Sequence, residues 1–263
     1  MVSYRRRRAD TSMPLRESEA IILRRFPLGE GDLLVSFLSR SLGRMRGVAR
    51  GARRPKSRFG STLEPLSYVH IWVLEKETRE LVRITQCELL ESFLDTHRDY
   101  DCSVALGVLS EVTDALLPER EASDAAFRLL LLSARTVKAT GKASLVLAYF
   151  VLWTVRLGGW MPDLDRCAKC ERLFARQPAY GSGSRQGLRC SDCRLPGMRL
   201  ISVRGLDAGR RMLLEKLDRV AKAEESGMVT RDLTDFLLDV IEHHMERKLS
   251  TRRVLEAARE GMG

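Results

Sequence analysis

The chain has 263 residues, of which 44% are hydrophobic and 30% charged, and its formal net charge at pH 7 is +10. This length is enough for about two domains, each with its own core. No stretch reaches the roughly 18–20 consecutive apolar residues that a membrane-spanning helix needs, and residues 1–13 lack the apolar region of a signal peptide. We therefore expect a cytoplasmic protein without a membrane segment.

The net charge is concentrated at the front of the chain. The first sixty residues contain fifteen Lys or Arg and five acidic residues, a balance of +10. Residues 33–63 carry eight basic residues and no acid. Such a surface attracts a polyanion by neutralising phosphates and releasing counterions. The alternative is a solvated basic face that only keeps the protein soluble.

Strand-like segments dominate the chain after Pro14. Five of them occur, at residues 20–23, 33–38, 44–51, 67–74 and 81–89. Five short strands without a long helix between them predict a small barrel. The oligonucleotide-binding (OB) barrel is the natural candidate, because it presents a curved basic face to single strands. We expect a basic, disordered leader before the barrel, with Met13 as an alternative start to Met1.

The third strand-like segment alternates between arginines and small residues. Because successive side chains of a strand point to opposite faces, its arginines share one face and the small residues can pack closely on the other. The loop that follows, residues 52–63, adds further cations. The predicted polyanion contacts are Arg44, Arg46, Arg50, Arg53, Arg54, Lys56 and Arg58.

An aromatic row lies on the fourth strand-like segment, where Tyr68, His70 and Trp72 share one face. Two interpretations stay open. The row is either a platform on which bases stack or part of the core or its margin.

From residue 99 onward the apolar residues recur with a helical period. The pattern predicts helices at 104–117, 123–140, 144–157, 202–223 and 230–248, with Ser202 and Thr230 as N-caps. The fold class is therefore α+β, with a barrel followed by a helical domain that a cysteine-bearing insert interrupts. The predicted parts are a leader at 1–18, an OB domain at 19–93, a helical domain at 94–160, a metal module at 161–200 and a C-terminal helical part at 201–263 that packs with the helical domain.

Four cysteines have the spacing of a structural zinc site. Cys167, Cys170, Cys190 and Cys193 form the pattern C-x2-C-x19-C-x2-C. Four thiolate ligands leave no open position for water, so one Zn²⁺ would hold the fold without doing chemistry. The alternative is unmetallated thiols or disulfides. The remaining Cys87 and Cys102 are expected to be ordinary buried thiols.

No catalytic constellation is found in the sequence. Residues 141–144 end like a phosphate-binding loop, but Thr136 stands where that loop requires glycine. Gly29 and Gly31 lack the third glycine of a dinucleotide fingerprint. We therefore expect no catalytic residues, no nucleotide site and no enzymatic activity.

Several short motifs occur in a characteristic order. They are residues 20–23 (Ala-Ile-Ile-Leu), 29–32 (Gly-Glu-Gly-Asp), 43–53 (Gly-Arg-Met-Arg-Gly-Val-Ala-Arg-Gly-Ala-Arg) and 64–66 (Glu-Pro-Leu), then the cysteine insert after 158–162 and the ending at 248–255. In this order and spacing the chain resembles the RecO family of bacterial recombination mediators, over nearly its whole length from about residue 19.

The resemblance implies an N-terminal OB domain, a helical domain and a zinc module that some members lack. It also implies binding of single- and double-stranded DNA, annealing of complementary strands, partnership with RecR and with the C-terminal tail of single-strand-binding protein, and loading of RecA near the nucleoid. The arginine-rich leader departs from the family pattern. Two other hypotheses stay open: a zinc-ribbon regulator that reads a specific promoter, and a scaffold that binds an acidic protein tail.

Overall fold

The computed structural model describes residues 14–75, 80–222 and 231–260. Its N-terminal part is built from the strands β1 (Leu15–Leu28), β2 (Asp32–Ser39), β3 (Gly43–Ala49), β4 (Tyr68–Leu74) and β5 (Val82–Glu91). Pairing runs β1-β2-β3-β5-β4 and returns to β1, so the five strands close into a barrel. The β3–β5 pair is parallel and the others are antiparallel. The predicted five-stranded, OB-like architecture is confirmed.

The first strand corrects one predicted boundary. β1 begins at Leu15, where it pairs with Leu74, so the barrel starts before the predicted limit at residue 19. Residues 1–13, which hold the rest of the predicted leader, lie outside the described residues.

Alternation in β3 places its small residues inside the barrel. Met45, Gly47 and Ala49 are buried, and the residues between them are half-buried on the outer face. A Cβ atom on Gly47 would lie 2.9 Å from side-chain carbons of both Val82 and Ile84. Glycine is therefore what lets β3 approach β5 closely enough to close the barrel, and the predicted close-packing face is confirmed.

Seven α-helices follow the barrel in the described residues. They are α1 (Tyr100–Leu116), α2 (Asp124–Thr140), α3 (Ala143–Leu157), α4 (Val203–Leu214), α5 (Leu217–Lys222), α6 (Arg231–His244) and α7 (Ser250–Glu260). The Asp99, Ser123 and Ser202 side chains accept hydrogen bonds from the first-turn N–H groups of α1, α2 and α4. None of the helices in these described ranges is long and apolar enough to cross a membrane.

The helix predicted at 104–117 already begins at Tyr100, and two further predicted helices differ more. The one predicted at 202–223 is broken at Glu215, whose backbone is extended, and this turn buries Leu217 while leaving Leu214 87% exposed. The one predicted at 230–248 ends at His244. There the buried Glu242 carboxylate accepts a hydrogen bond of 3.0 Å from the Leu249 N–H, which turns the chain into α7. Thr230, the predicted cap, lies outside the described residues.

The cysteine insert contains a small sheet that the sequence pattern did not predict. Its strands are β6 (Ala179–Ser182), β7 (Arg185–Arg189) and β8 (Arg199–Ile201), in the order β7-β6-β8. Strands of three to five residues are too short to show a period. The sheet packs against α6, where a Cβ atom on Gly181 would collide with the Phe236 ring.

The helical part packs against one side of the barrel. Ile21, Leu23 and Leu38 point out of the barrel and join the helical core around α1 and α3. The Ser110 hydroxyl of α1 donates a hydrogen bond of 2.6 Å to the Leu23 carbonyl. α1 thus covers part of the outer barrel face and leaves the rest open.

Candidate nucleic-acid interface and metal centre

The predicted polyanion contacts fall into two groups in the structure. Arg44 and Arg46 face the helical domain. Arg44 Nε donates a hydrogen bond of 2.7 Å to the Leu117 carbonyl, and its guanidinium lies 3.3 Å from the Glu119 carboxylate. Arg46 Nε lies 2.9 Å from the same carboxylate. These two arginines therefore join the barrel to the helical domain, with their charges matched by protein groups.

The other predicted contacts lie together on the segment that follows β3. All five side chains are exposed, and none forms an ion pair with a carboxylate in the described part of the chain. We call this segment, residues 50–58, the basic loop. Its cations are Arg50, Arg53, Arg54, Lys56 and Arg58.

Backbone contacts fix the basic loop against the turn between β1 and β2. The Gly51 N–H donates to Asp32 Oδ1 at 2.8 Å, and the Arg53 N–H donates to the Gly31 carbonyl at 3.0 Å. Phe59, directly after the loop, is buried in the barrel core. The loop is therefore held at both ends, so its cations are presented from a defined backbone.

Two further arginines on the outer barrel face were missing from the predicted set. Arg24 and Arg83 form no ion pair within the described ranges, and Arg24 lies over the ring of the exposed Phe26. A β-bulge between Ile22 and Arg24 changes which face the following residues of β1 occupy. The alternation in the sequence does not reveal this change. The only available signal was the positive charge of both residues.

The aromatic row of β4 is half-buried. The Tyr68 ring packs edge-on against Phe127 of the helical domain, with ring centroids 6.2 Å apart. The ring centroids of His70 and Trp72 are 4.4 Å apart. This placement agrees with the interpretation of the row as a margin of the core.

The four predicted metal ligands converge. The Sγ atoms of Cys167, Cys170, Cys190 and Cys193 all lie within 4.8 Å of one another. The Cys170 and Cys190 Sγ atoms are 3.7 Å apart, which is close to the edge of about 3.8 Å that a tetrahedron with Zn–S distances near 2.3 Å requires. All six cysteines are free thiols, so the disulfide alternative is not what the structure shows. The cluster can hold a metal ion.

Backbone N–H groups favour the thiolate form at one cysteine of this cluster, Cys167. Burial raises the pKa of Cys167, but the backbone N–H groups of Cys170, Cys190 and Lys169 outweigh it and lower the pKa to about 6. A thiolate, the form that binds metal, is thereby favoured. An ion pair of 2.7 Å between Arg172 and Asp192 links the two cysteine-bearing turns.

The remaining two cysteines are buried in the two cores. Cys87 belongs to the barrel core and Cys102 to the helical core. Burial is the main cause that raises the pKa of each thiol to about 11. The prediction of ordinary buried thiols is confirmed.

Two family models match the chain in succession: recombination protein O N terminal over residues 13–93, and recombination protein O C terminal over residues 97–253. The chain belongs to the RecO family. The junction between the two RecO models lies between β5 and α1, where the barrel ends and the helices begin. Membership in RecO confirms the resemblance that the motifs indicated.

RecO relatives cover most of the chain. A DNA repair protein RecO from Koribacter versatilis is 37% identical over 243 residues, 92% of this chain and 98% of the relative. A protein of the same name from Nocardioides sp. is 40% identical over 70% of this chain and 76% of the relative. Another, from Cutibacterium acnes, is 30% identical over 93% of this chain and 100% of the relative. The chain is therefore a RecO-family DNA repair and recombination protein.

Proposed function

We propose that this protein anneals complementary DNA strands and acts as a recombination mediator that binds both single- and double-stranded DNA. The observation that carries the proposal is the basic loop, where five exposed cations have no carboxylate partner among the described residues. Unpaired cations on a fixed backbone neutralise phosphates without first breaking internal ion pairs.

Annealing needs a cationic surface more than it needs catalysis. Two DNA strands repel each other, and a protein that offsets their charge brings them together without using a nucleotide. In this proposal the protein is not an enzyme. The four-cysteine cluster holds one Zn²⁺ in a purely structural role, because four thiolates fill a tetrahedral site.

The partners in this proposal come from the family resemblance. RecR, the C-terminal tail of single-strand-binding protein and, indirectly, RecA are the proteins with which a RecO mediator is expected to act. Their joint task is to place RecA on strands that single-strand-binding protein covers. The protein would carry out this task in the cytoplasm, at the nucleoid.

An annealing assay tests the proposal directly. Two complementary fluorescent oligonucleotides are mixed with the protein across a salt series, without nucleotide. We expect faster annealing than without protein, and a loss of this acceleration in the triple variant Arg50→Ala, Arg53→Ala, Arg54→Ala. A helical control triple, Arg204→Ala, Arg219→Ala, Arg253→Ala, removes the same charge from exposed positions on α4, α5 and α7 and should retain activity. Absence of acceleration by the wild-type protein at every salt concentration would contradict the proposal.

A further inference from the structure

We infer that the outer barrel face around Phe26 is a base-binding surface for single-stranded DNA, on which bases stack while flanking arginines contact phosphates. The inference rests on the proposed DNA binding and names a second surface for it. We call this surface, formed by Arg24, Phe26, Leu34, Val48 and Arg83, the Phe26 patch.

The Phe26 patch is a single row across four strands. Phe26 pairs with Leu34, Leu34 with Val48, and Val48 with Arg83. Residues that pair across strands share a face, so these four side chains line up over about 14 Å at the usual strand spacing. This length accommodates several nucleotides of an extended strand.

Phe26 is exposed although it is a large aromatic residue. The exposed fraction of Phe26 is 43%. The Arg24 guanidinium lies over its ring, 5.2 Å from the ring centroid. Leu34 and Val48 beside it are half-buried. An aromatic ring next to cations on an open sheet face is the arrangement on which single-stranded nucleic acids stack.

Charge around the patch favours a polyanion over a protein or lipid partner of mixed charge. Arg24, Arg50 and Arg83 make no ion pair with any described residue. The neighbouring Arg25 points to the opposite face of β1, where its guanidinium lies 2.6 Å from the Glu64 carboxylate. Arg24, Arg50 and Arg83 therefore keep their charges without a carboxylate partner among the described residues.

The Phe26 patch continues into the basic loop. Arg53 Nη1 donates a hydrogen bond of 3.1 Å to the carbonyl of Gly29, which lies three residues after Phe26, directly beyond the end of β1. One nucleic-acid strand can thus place phosphates on the loop and bases on the patch. The loop thereby adds phosphate contacts to those that Arg24 and Arg83 supply on the patch.

The aromatic row of β4 has carboxylates beside it where the Phe26 patch has arginines. Trp72 pairs with Glu17 on one side, and His70 pairs with Glu19 on one side and Glu88 on the other. Carboxylates at these positions repel a phosphate backbone. Phe26, and not Trp72, is therefore the aromatic residue on which we expect bases to stack.

Binding of labelled oligothymidine by variants of the full chain tests this inference. Stacking contributes about 1–3 kcal/mol per base, so Phe26→Ala should weaken single-strand binding about fivefold or more at fixed salt. The slope of log K against log salt should stay unchanged, because no charge is removed. Binding of a blunt duplex should change less than twofold, since its bases are already stacked.

Trp72→Ala is the matched control, because it removes an aromatic residue from the acidic side of the same barrel. Its single-strand affinity should equal that of the wild type. Phe26→Trp should retain affinity and add a tryptophan whose emission the bound oligonucleotide quenches, measured against the three native tryptophans. This fluorescence readout decides the question even if Phe26→Ala folds poorly.

The outcomes separate the two proposals. If the wild type does not bind oligothymidine, the proposed function fails. If the wild type binds while Phe26→Ala binds equally well and Phe26→Trp shows no quenching, only the Phe26 patch is wrong. A loss confined to Trp72→Ala would also overturn it.

Discussion

Arg44 Nε donates a hydrogen bond of 2.7 Å to the carbonyl oxygen of Leu117, which ties β3 of the barrel to the end of α1. This carbonyl is at a helix C-terminus, where free acceptors and the helix dipole both favour a cation. The Arg44 side chain is only 16% exposed. Its task is therefore to hold the two domains together.

Arg44→Ala should lower the free energy of unfolding by about 1–3 kcal/mol, because it leaves a half-buried carbonyl and nearby carboxylates without their partner. Arg50, directly after β3, is exposed, and Arg50→Ala should change the free energy of unfolding by less than about 0.5 kcal/mol. Urea denaturation of both variants measures the difference. Equal stability of the two variants would show that Arg44 does not support the domain junction.

The salt dependence of DNA binding should report the basic loop. If about six phosphates of a single strand are neutralised, log K falls with log salt at a slope near −4. The triple variant Arg50→Ala, Arg53→Ala, Arg54→Ala removes three contacts and should reduce the slope to about −2. Fluorescence anisotropy in a salt series gives both slopes. The helical control triple should keep the wild-type slope, and a shared reduction would point to diffuse charge instead.

Metal removal should affect the cysteine insert and leave the barrel unchanged. We expect one zinc per chain by atomic emission spectroscopy, and loss of that zinc in Cys170→Ser, which alters an exposed ligand. Cys102→Ser is the control and should retain the metal. Because the basic loop lies on the barrel, the metal-free protein should bind single strands within about twofold of the wild type. Full zinc content in Cys170→Ser would exclude this four-cysteine site.

A buried carboxylate should make stability depend on pH. Glu111 of α1 accepts hydrogen bonds of 2.6–2.9 Å from the N–H and hydroxyl groups of Ser250 and Thr251 at the start of α7. Burial raises its pKa, but these four donors lower it more, so the pKa lies below the ordinary glutamate value. The stabilisation is therefore complete above the unfolded pKa near 4.3 and is lost as pH falls through the folded pKa.

Glu111→Gln should cost about 2–3 kcal/mol of unfolding free energy at pH 7, because an amide oxygen cannot accept all four hydrogen bonds. The difference from the wild type should shrink below about pH 4.3. Urea denaturation at pH 7 and at acidic pH measures it. Glu121→Gln is the control, because Glu121 is exposed and forms no ion pair with the described residues. A pH-independent difference for Glu111→Gln would contradict the linkage.

Local sequence patterns were sufficient to predict the elements whose residue pattern extends over several repeats or whose ends carry a capping residue. The alternation of β3, the single helix between Ser123 and Gly141, and the spacing of the four cysteines all predicted what the structure shows. They were not sufficient where a distant group decides the outcome. α7 has few apolar residues, and its first turn is stabilised by Glu111, which is 139 residues away from Ser250 in the chain.

The sequence by itself determined the barrel, the helical domain and the convergence of the cysteines, because residue period and ligand spacing are local properties of a chain. Only the tertiary structure decided which of the arginines are available to a ligand. Arg44 and Arg46 face the end of α1 and the segment after it, where Leu117 and Glu119 are their partners, whereas Arg50 has no carboxylate partner among the described residues. The ion-pair partner of an arginine is set by the fold and cannot be seen in the sequence. Here the fold places Glu119 beside Arg44 and Arg46, two of the seven predicted contacts.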